Sequence, residues 1–206
     1  MNQRKIIKII KSEYQDPKCE LNFTSPFELL VAVVLSAQCT DKRVNQVTSV
    51  LFKEFNTAEK ILKADLEVIE EIIKPCGFYH NKARAIKSLS EDIVFKFNGE
   101  FPKTKAELKT LKGVGEKTAN VVVSIVYNEP AIAVDTHVFR VSNRLGLANA
   151  NTPEKTQKQL ENVFDKSDWS KMHYALVLHG RYVCKAIKPR CEDCVLKNEC
   201  LYKKKN

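Results

Sequence analysis

The sequence predicts an all-α protein, and three observations carry that prediction. No segment alternates apolar and polar residues with the period of two that a half-buried strand needs. Helix start signals, in which Ser, Thr or Asp is followed at a fixed offset by Pro or Glu, recur along the whole chain. The one valine-rich run that could pass for a buried strand, residues 29–38, follows the strong start Ser25-Pro26-Phe27-Glu28, with a cap, a proline at the first helical position and a capping-box glutamate. That start and the length of the run favour a buried helix.

Taken in order, residues 2–15 read as an amphipathic helix, with Ile6, Ile7, Ile9 and Ile10 set among Arg4, Lys5, Lys8 and Lys11, and Asp16-Pro17 ends it. Residues 19–24 are a loop. After the buried helix come one over 41–55 and two short ones over 57–62 and 65–74, each opened by a capping residue. Pro75-Cys76-Gly77-Phe78-Tyr79 is a turn, and residues 81–97 form a longer helix closed by Asn98-Gly99. Thr104-Lys105-Ala106-Glu107 fits a capping box, in which the Thr oxygen and the Glu side chain satisfy free backbone N–H groups. Gly113-Val114-Gly115 then turns the chain into a helix over 116–127. Asp135 is a favoured N-cap for a helix over 136–145 that stops at Gly146. Thr152-Pro153 opens a helix to Phe164, and Ser167 or Asp168 opens one that runs to Cys184.

The 206 residues are 44% hydrophobic, enough for one large or two small domains with a real core. A formal charge of +9 calls for an anionic partner, and nucleic acid fits better than a membrane. The longest apolar run, residues 29–35, is far too short to span a bilayer. The N-terminal segment lacks the continuous apolar stretch of a signal peptide. These features predict a cytosolic protein whose thiols stay reduced.

Two stretches carry candidate chemistry. The first runs from Leu111 to Arg144. Two of the six glycines of the chain stand in its turn, and a turn feeding a helix N-terminus points unpaired N–H groups outward, as a phosphate requires. Taken alone, so short a glycine motif reads first as a plain connection between helices. Lys117 lies two residues past Gly115. A neutral lysine amine can attack an electrophilic carbon and form a Schiff base, which requires a pKa lowered by desolvation or nearby positive charge. Asp135 reads as a cap, a role compatible with facing a cleft.

The second stretch holds four of the seven cysteines, Cys184-x6-Cys191-x2-Cys194-x5-Cys200. Four thiolates so close in sequence can enclose one metal centre, and in the cytosol a pair of disulfides is disfavoured. Structural zinc is the rival to an iron–sulfur cluster, although only Cys191 and Cys194 form the C-x-x-C knuckle that zinc ribbons use twice. Lys185, Lys188 and Arg190 lie between the first two cysteines, and Lys203 to Lys205 follow the last. Cys39 reads as a core residue, Cys19 and Cys76 as ordinary thiols, and His173 and His179 as structural.

The run L-K-G-V-G-E-K-T-A-N-V-V followed by V-D-T-H closely resembles the helix–hairpin–helix DNA glycosylases of the endonuclease III type, and the resemblance spans essentially the whole chain. It implies a two-lobed all-α fold, with a six-helix lobe over residues 20–129 and an iron–sulfur lobe made of residues 1–19 and 130–206. Duplex DNA carrying damaged pyrimidines or abasic sites would lie across the groove between the lobes, bound by a monomer. It implies that Lys117 is the nucleophile and Asp135 the catalytic aspartate of a bifunctional glycosylase and abasic-site lyase. The presence of a lysine at 117 argues against the monofunctional adenine-mismatch branch. By the same resemblance Cys184, Cys191, Cys194 and Cys200 hold a [4Fe–4S] cluster. Gly113, Val114 and Gly115 would then clamp DNA, and Lys185, Lys188 and Arg190 would contact phosphates. Gln38, in Leu35-Ser36-Ala37-Gln38-Cys39-Thr40-Asp41, would fill the gap left by a flipped nucleotide. Phe78, in Gly77-Phe78-Tyr79, would act as a second wedge where the family often has Leu, and His137, Tyr79 and Asp41 would stand near the pocket. A non-catalytic DNA-binding protein with structural zinc and an electron carrier are the readings of other classes, and the second sits badly with so basic a chain.

Overall fold

In the computed structural model the described residues, 3–202, form helices joined by turns and loops, with a non-helical segment over 183–202 after the last helix and no strand among them. Residue 2 and the lysine run 203–205 lie outside the described residues. In chain order the helices are α1 (Gln3–Glu13), α2 (Pro26–Leu35), α3 (Asp41–Glu54), α4 (Ala58–Lys63), α5 (Leu66–Ile73), α6 (Tyr79–Lys96), α7 (Lys105–Leu108), α8 (Glu116–Val126), α9 (Thr136–Leu145), α10 (Pro153–Val163) and α11 (Trp169–Tyr182). Short 3₁₀ turns over Lys74–Cys76 and Lys166–Asp168 precede α6 and α11. The chain divides into two compact units, Glu20–Glu129, and Met1–Cys19 with Pro130–Asn206.

The Glu20–Glu129 unit is built around α2. Every residue of α2 except Pro26 and Val34 is buried, and a helix apolar all round belongs inside a core. It touches α3, α6 and α8, and with them buries Leu29, Leu30, Leu35, Leu51, Ile86 and Leu89 completely. Ser25 caps it as expected, its Oγ accepting from Glu28 N–H at 3.2 Å. The Glu28 carboxylate does not close the box on Ser25. It accepts instead from Thr24 N–H at 2.6 Å and Thr24 Oγ1 at 2.8 Å, so it braces the incoming loop. Thr104 and Glu107 do form a complete capping box. Six helices of this unit exceed one turn, and α7 is a single turn.

The other unit packs Ile6 and Ile10 of α1 against Val138, Val141 and Leu145 of α9, Leu160 of α10, and Met172 and Leu176 of α11. Its tightest seam joins α11 to α9. At Gly180 a Cβ would stand 2.8 Å from His137 Cβ, 3.0 Å from Val141 Cγ2 and 3.2 Å from Arg140 Nη2. The absence of a side chain is what lets these helices approach.

Two boundaries differ from expectation for a local reason. α6 begins at Tyr79, two residues early, because Gly77 (φ 68°) and Phe78 (φ 49°, ψ 28°) turn the chain sharply enough for the helix to start at once. α11 stops at Tyr182 rather than Cys184, and its last turn is closed by Cys184 N–H donating to the His179 carbonyl at 2.7 Å.

Gly180→Ala gives a clean test of the seam. In an open helix the change would stabilise by about 1 kcal/mol. Here it should destabilise by about 1–3 kcal/mol through overpacking, read as a lower urea midpoint with an unchanged slope.

Candidate active site and cysteine centre

The hairpin at residues 108–119 is held from several sides. Val114 N–H donates to the Leu111 carbonyl at 3.1 Å, and Lys112 N–H donates to Asp92 Oδ2 at 2.8 Å. Asp92 is 3% exposed. Burial works against its charge, but hydrogen bonds from Lys96 and the Lys112 N–H more than offset this and hold its carboxyl below the usual range. Glu116, in the first turn of α8, is paired with Lys105 and with Lys109, at 2.7 Å for the second, which ties α7 to α8 across the turn and lowers its pKa. Gly113 takes φ 82°, while Gly115 at φ −90° is the N-cap of α8 and offers no side-chain acceptor. The first-turn N–H groups of α8 therefore have no side-chain cap, which suits an anionic ligand. Gly113 and Gly115 are exposed, whereas the Val114 side chain is 6% exposed and pins the turn from inside, so only its backbone is left for a ligand. Lys117 is exposed in that same first turn.

Asp135 belongs to the other unit. Its Oδ1 accepts from Val138 N–H at 2.7 Å, so it caps α9, and it is half-buried. Arg140, one turn on, sits close enough to feel its charge. His137, expected near a pocket, is tied by Nδ1 to Arg140 Nη2 at 3.2 Å. Tyr79 stacks on His80 at 4.0 Å between ring centres, and Asp41 lies in the first turn of α3.

Gln38 and Phe78 stand on two neighbouring turns of the Glu20–Glu129 unit, and both adopt positive φ, 53° and 49°. Both side chains are exposed, Phe78 by 65%. Beneath them the Lys82 amine is buried and donates to the Leu35 carbonyl and to the Cys76 carbonyl, 2.9 Å each. Burial pulls its pKa below the ordinary lysine value. The cysteine expectation is corrected here. Cys76 is the buried thiol and Cys39 is only half-buried, because the turn after α2 carries Cys39 to the edge of the core while Cys76 closes a 3₁₀ turn that faces inward. Their side chains are hydrogen-bonded, and burial followed by that bond pushes the Cys76 thiol up to about 11.

Cys184, Cys191, Cys194 and Cys200 line one cavity of about 60 Å³, shared with Leu145, His179 and Arg190. None is in a disulfide. Among the described residues no three His, Cys, Asp or Glu side chains close on a single metal-ion position. The donor set nevertheless fits a cationic centre. Burial raises the Cys194 and Cys200 thiols, and the charges of the neighbouring thiolates raise them further. Four such groups cannot ionise together without a cation among them. Two donors already face the sulfurs. Arg144 Nη1 lies 3.5 Å from Cys184 Sγ, and His179 Nε2 lies 3.6 Å from Cys194 Sγ. Burial lowers His179 to about 4, so the ring is neutral. With Cys194 held as a metal-bound thiolate, which accepts only, the ring hydrogen would stand on Nε2, and Nδ1 would accept from the Tyr14 hydroxyl, 3.0 Å away.

Of the basic residues expected on this loop, Lys185 and Lys188 are exposed, with Lys188 at φ 51°, and Arg190 pairs with Asp193 at 3.1 Å. Sequence reasoning missed the arginines that hold the loop. Arg144 donates to the Lys185 carbonyl at 2.8 Å and stacks over Tyr202 at 4.0 Å, and Arg140 donates to the Cys184 and Gly180 carbonyls at 3.0 and 2.9 Å. Their spacing of four on α9 was the available signal, since it puts both on one face.

Residues 31–166 match the HhH-GPD superfamily of base excision DNA repair proteins. The chain is 49% identical to endonuclease III of Bacillus subtilis over 184 residues, covering 89% of this chain and 84% of the relative. It is 42% identical to endonuclease III of Escherichia coli over 208 residues, covering 100% and 99%. Among solved structures it is similar to a trapped endonuclease III–DNA covalent intermediate, at TM-score 0.92 and 44% identity over 97% of this chain and 96% of that one. No helix of the described residues is long and apolar enough to cross a membrane.

The hairpin geometry predicts an asymmetry between its glycines. Gly113→Ala must hold a side chain at positive φ and should lose about 1–2 kcal/mol. Gly115→Ala meets nothing within 4 Å and keeps an ordinary φ, so its loss in the same thermal or urea melt should be clearly smaller.

Proposed function

This chain belongs to the HhH-GPD superfamily of base excision DNA repair proteins, in its endonuclease III branch, and from that membership we propose that Lys117 is its nucleophile and Asp135 the carboxylate partner. The enzyme is a DNA glycosylase with abasic-site lyase activity. One observation carries the assignment of the nucleophile. A related endonuclease III has been trapped as a covalent intermediate with DNA, covalent attack needs a nucleophile, and Lys117 is the exposed amine in the uncapped first turn of α8.

The substrate is duplex DNA containing an oxidised pyrimidine or an abasic site. A base inside a duplex shields C1′, so the nucleotide must leave the stack before attack. The backbone of Gly113, Val114 and Gly115 holds a phosphate at the α8 N-terminus, while Gln38 and Phe78 enter the vacated space. The Lys117 amine attacks C1′, the C1′–N bond breaks, and the base departs with the bonding electron pair and gains a proton. Asp135 stabilises positive charge developing on the sugar and accepts a proton from the attacking amine. The sugar ring opens to a Schiff base, which acidifies the C2′ hydrogen. Loss of that proton expels the 3′ phosphate by β-elimination. Asp135 meets two demands at once, because its Oδ1 is committed to the α9 N-terminus and a pinned carboxylate is pre-oriented.

In this reading Cys184, Cys191, Cys194 and Cys200 hold a [4Fe–4S] cluster. When bound it supplies a rigid cross-link and a local charge, and the glycosylase reaction itself transfers no electron. The loop so held presents Lys185, Lys188 and Arg190 to phosphates, contacts that position the enzyme without reading sequence.

Borohydride trapping on duplexes carrying thymine glycol or an abasic site tests the catalytic pair. Wild type should give a covalent complex on both, and Lys117→Ala on neither. Trapping that survives in Lys117→Ala would move the nucleophile elsewhere. Asp135→Asn keeps a good helix cap and should melt with wild type while losing excision, whereas Asp135→Ala should also lose about 1 kcal/mol of stability. For the cysteines, the purified protein should be brown and hold about four irons per chain. A colourless zinc protein would overturn the cluster.

A further inference from the structure

The Glu20–Glu129 unit contains a buried cation that the reaction does not use. Lys82, in the first turn of α6, is 6% exposed, although lysine almost never lies inside without partners. Its Nζ donates to the Leu35 carbonyl, which ends α2, and to the Cys76 carbonyl, which ends the 3₁₀ turn, at 2.9 Å each. Leu35 and Cys76 are themselves buried. Three residues past the first acceptor stands Gln38, and two residues past the second stands Phe78. Both are non-glycine residues at positive φ, an uncommon state that persists only where surroundings over-determine it. Both are exposed, and a 65% exposed phenylalanine in a left-handed position is not there for the core. One weaker tie joins the same turns, the Cys39–Cys76 side-chain hydrogen bond, and Arg43 in the first turn of α3 reaches the Pro75 carbonyl at 3.5 Å.

We infer that Lys82 is a positioning residue that locks the turn after α2 to the turn before α6, so that Gln38 and Phe78 enter the duplex as one rigid element. The inference rests on the reading that these two side chains fill the space of the flipped nucleotide. Two separately mobile turns would each lose conformational freedom on insertion. Turns already joined through a buried ammonium have lost it on folding, so less is lost when the stack is opened. Lys82 itself touches neither DNA nor the reacting atoms.

The test separates opening from chemistry. Lys82→Met keeps the unbranched stem, one atom shorter, and removes the donors. Under single-turnover conditions at saturating enzyme, it should slow release of thymine glycol from a duplex about tenfold. It should also lose the fluorescence rise of 2-aminopurine placed beside the lesion. Cleavage of a single-stranded abasic oligonucleotide, which has no stack to open, should stay within about twofold of wild type. Adding Lys82→Met to a Gln38→Ala, Phe78→Ala background should change little further. Equal losses on duplex and single strand would make Lys82 merely structural and overturn the inference. So would a slow Gln38→Ala, Phe78→Ala enzyme beside a Lys82→Met enzyme at the wild-type rate. A Gln38→Ala, Phe78→Ala enzyme as fast as wild type would instead sink the insertion reading on which the inference stands. Should Lys82→Met not accumulate as folded protein, Lys82→Gln, which is neutral and one bond too short to hold both carbonyls as lysine does, takes its place with the same direction of effect.

Discussion

Eleven α-helices among the described residues make many helix ends, and each end leaves up to four N–H or C=O groups without an intrahelical partner. How those groups are closed decides where the turns go and which side chains they show. At the N-termini the answer is mostly a short oxygen-bearing side chain. Ser25, Thr40, Thr57, Thr104, Asp135 and Thr152 each accept from the N–H three residues on. Among the described residues four ends depart from this: the N-caps of α5 (Asp65), α6 (Phe78), α8 (Gly115) and α11 (Asp168) make no side-chain cap. At two of them, Phe78 and Gly115, the N-cap residue has no side-chain oxygen at all and is exposed, and these two are where the proposed function puts DNA. A helix start that gives up the roughly 1 kcal/mol of a side-chain cap and stays exposed has its N–H groups open to another acceptor.

At some C-termini the chain uses cations. Lys82 closes α2 and the 3₁₀ turn after α5, while Arg140 takes the Gly180 carbonyl in the last turn of α11 and the Cys184 carbonyl just beyond it. A positive charge at a helix C-terminus also meets the negative end of the helix dipole. Both cations are buried enough to lower their pKa. Leaving one such carbonyl without a donor would cost about 1–3 kcal/mol. Burying these cations is therefore the cheaper arrangement for turns that must be irregular in backbone and yet fixed in place. The same device serves the two units separately, under the Gln38 and Phe78 turns in one and at the root of the cysteine loop in the other.

What could be read from the sequence follows from this division. N-terminal caps are local, spanning three residues, so Ser25, Thr104 and Asp135 were legible as helix starts, and the glycine turn with them. The endonuclease III resemblance likewise rested on contiguous motifs. C-terminal closure by cations is not local. Lys82 lies 47 residues from Leu35, and Arg140 lies 40 from Gly180 in α11 and 44 from Cys184. Nothing in the neighbourhood of Lys82 marks it as different from other basic residues on helices, and the spacing of Arg140 and Arg144 shows only that they share a face. Cys39 and Cys76 were misplaced for a related reason, because burial of a thiol at a turn depends on which way the turn faces. Gly180 was passed over because a lone glycine in a helical pattern signals a close approach only when the opposing helix is known.

The cysteine loop shows how far such closure can go before any metal is considered. Its first cysteine begins where α11 ends, and Arg140 and Arg144 hold the carbonyls of Cys184, Lys185 and Ala186. The loop backbone is thus fixed by protein donors, while the thiols remain the unfavourable part, each raising the cost of ionising the next. A buried neutral His179, bonded to Tyr14 just past α1, stands at 3.6 Å from the Cys194 sulfur, and Arg144 offers an N–H to Cys184. Two donors do not balance four thiolates. Tyr14, Arg140, Arg144 and His179 together arrange the surroundings of these sulfurs, as the proposed cluster would require of groups that orient its ligands. The charge that would complete this arrangement is the one that the protein's own side chains do not provide.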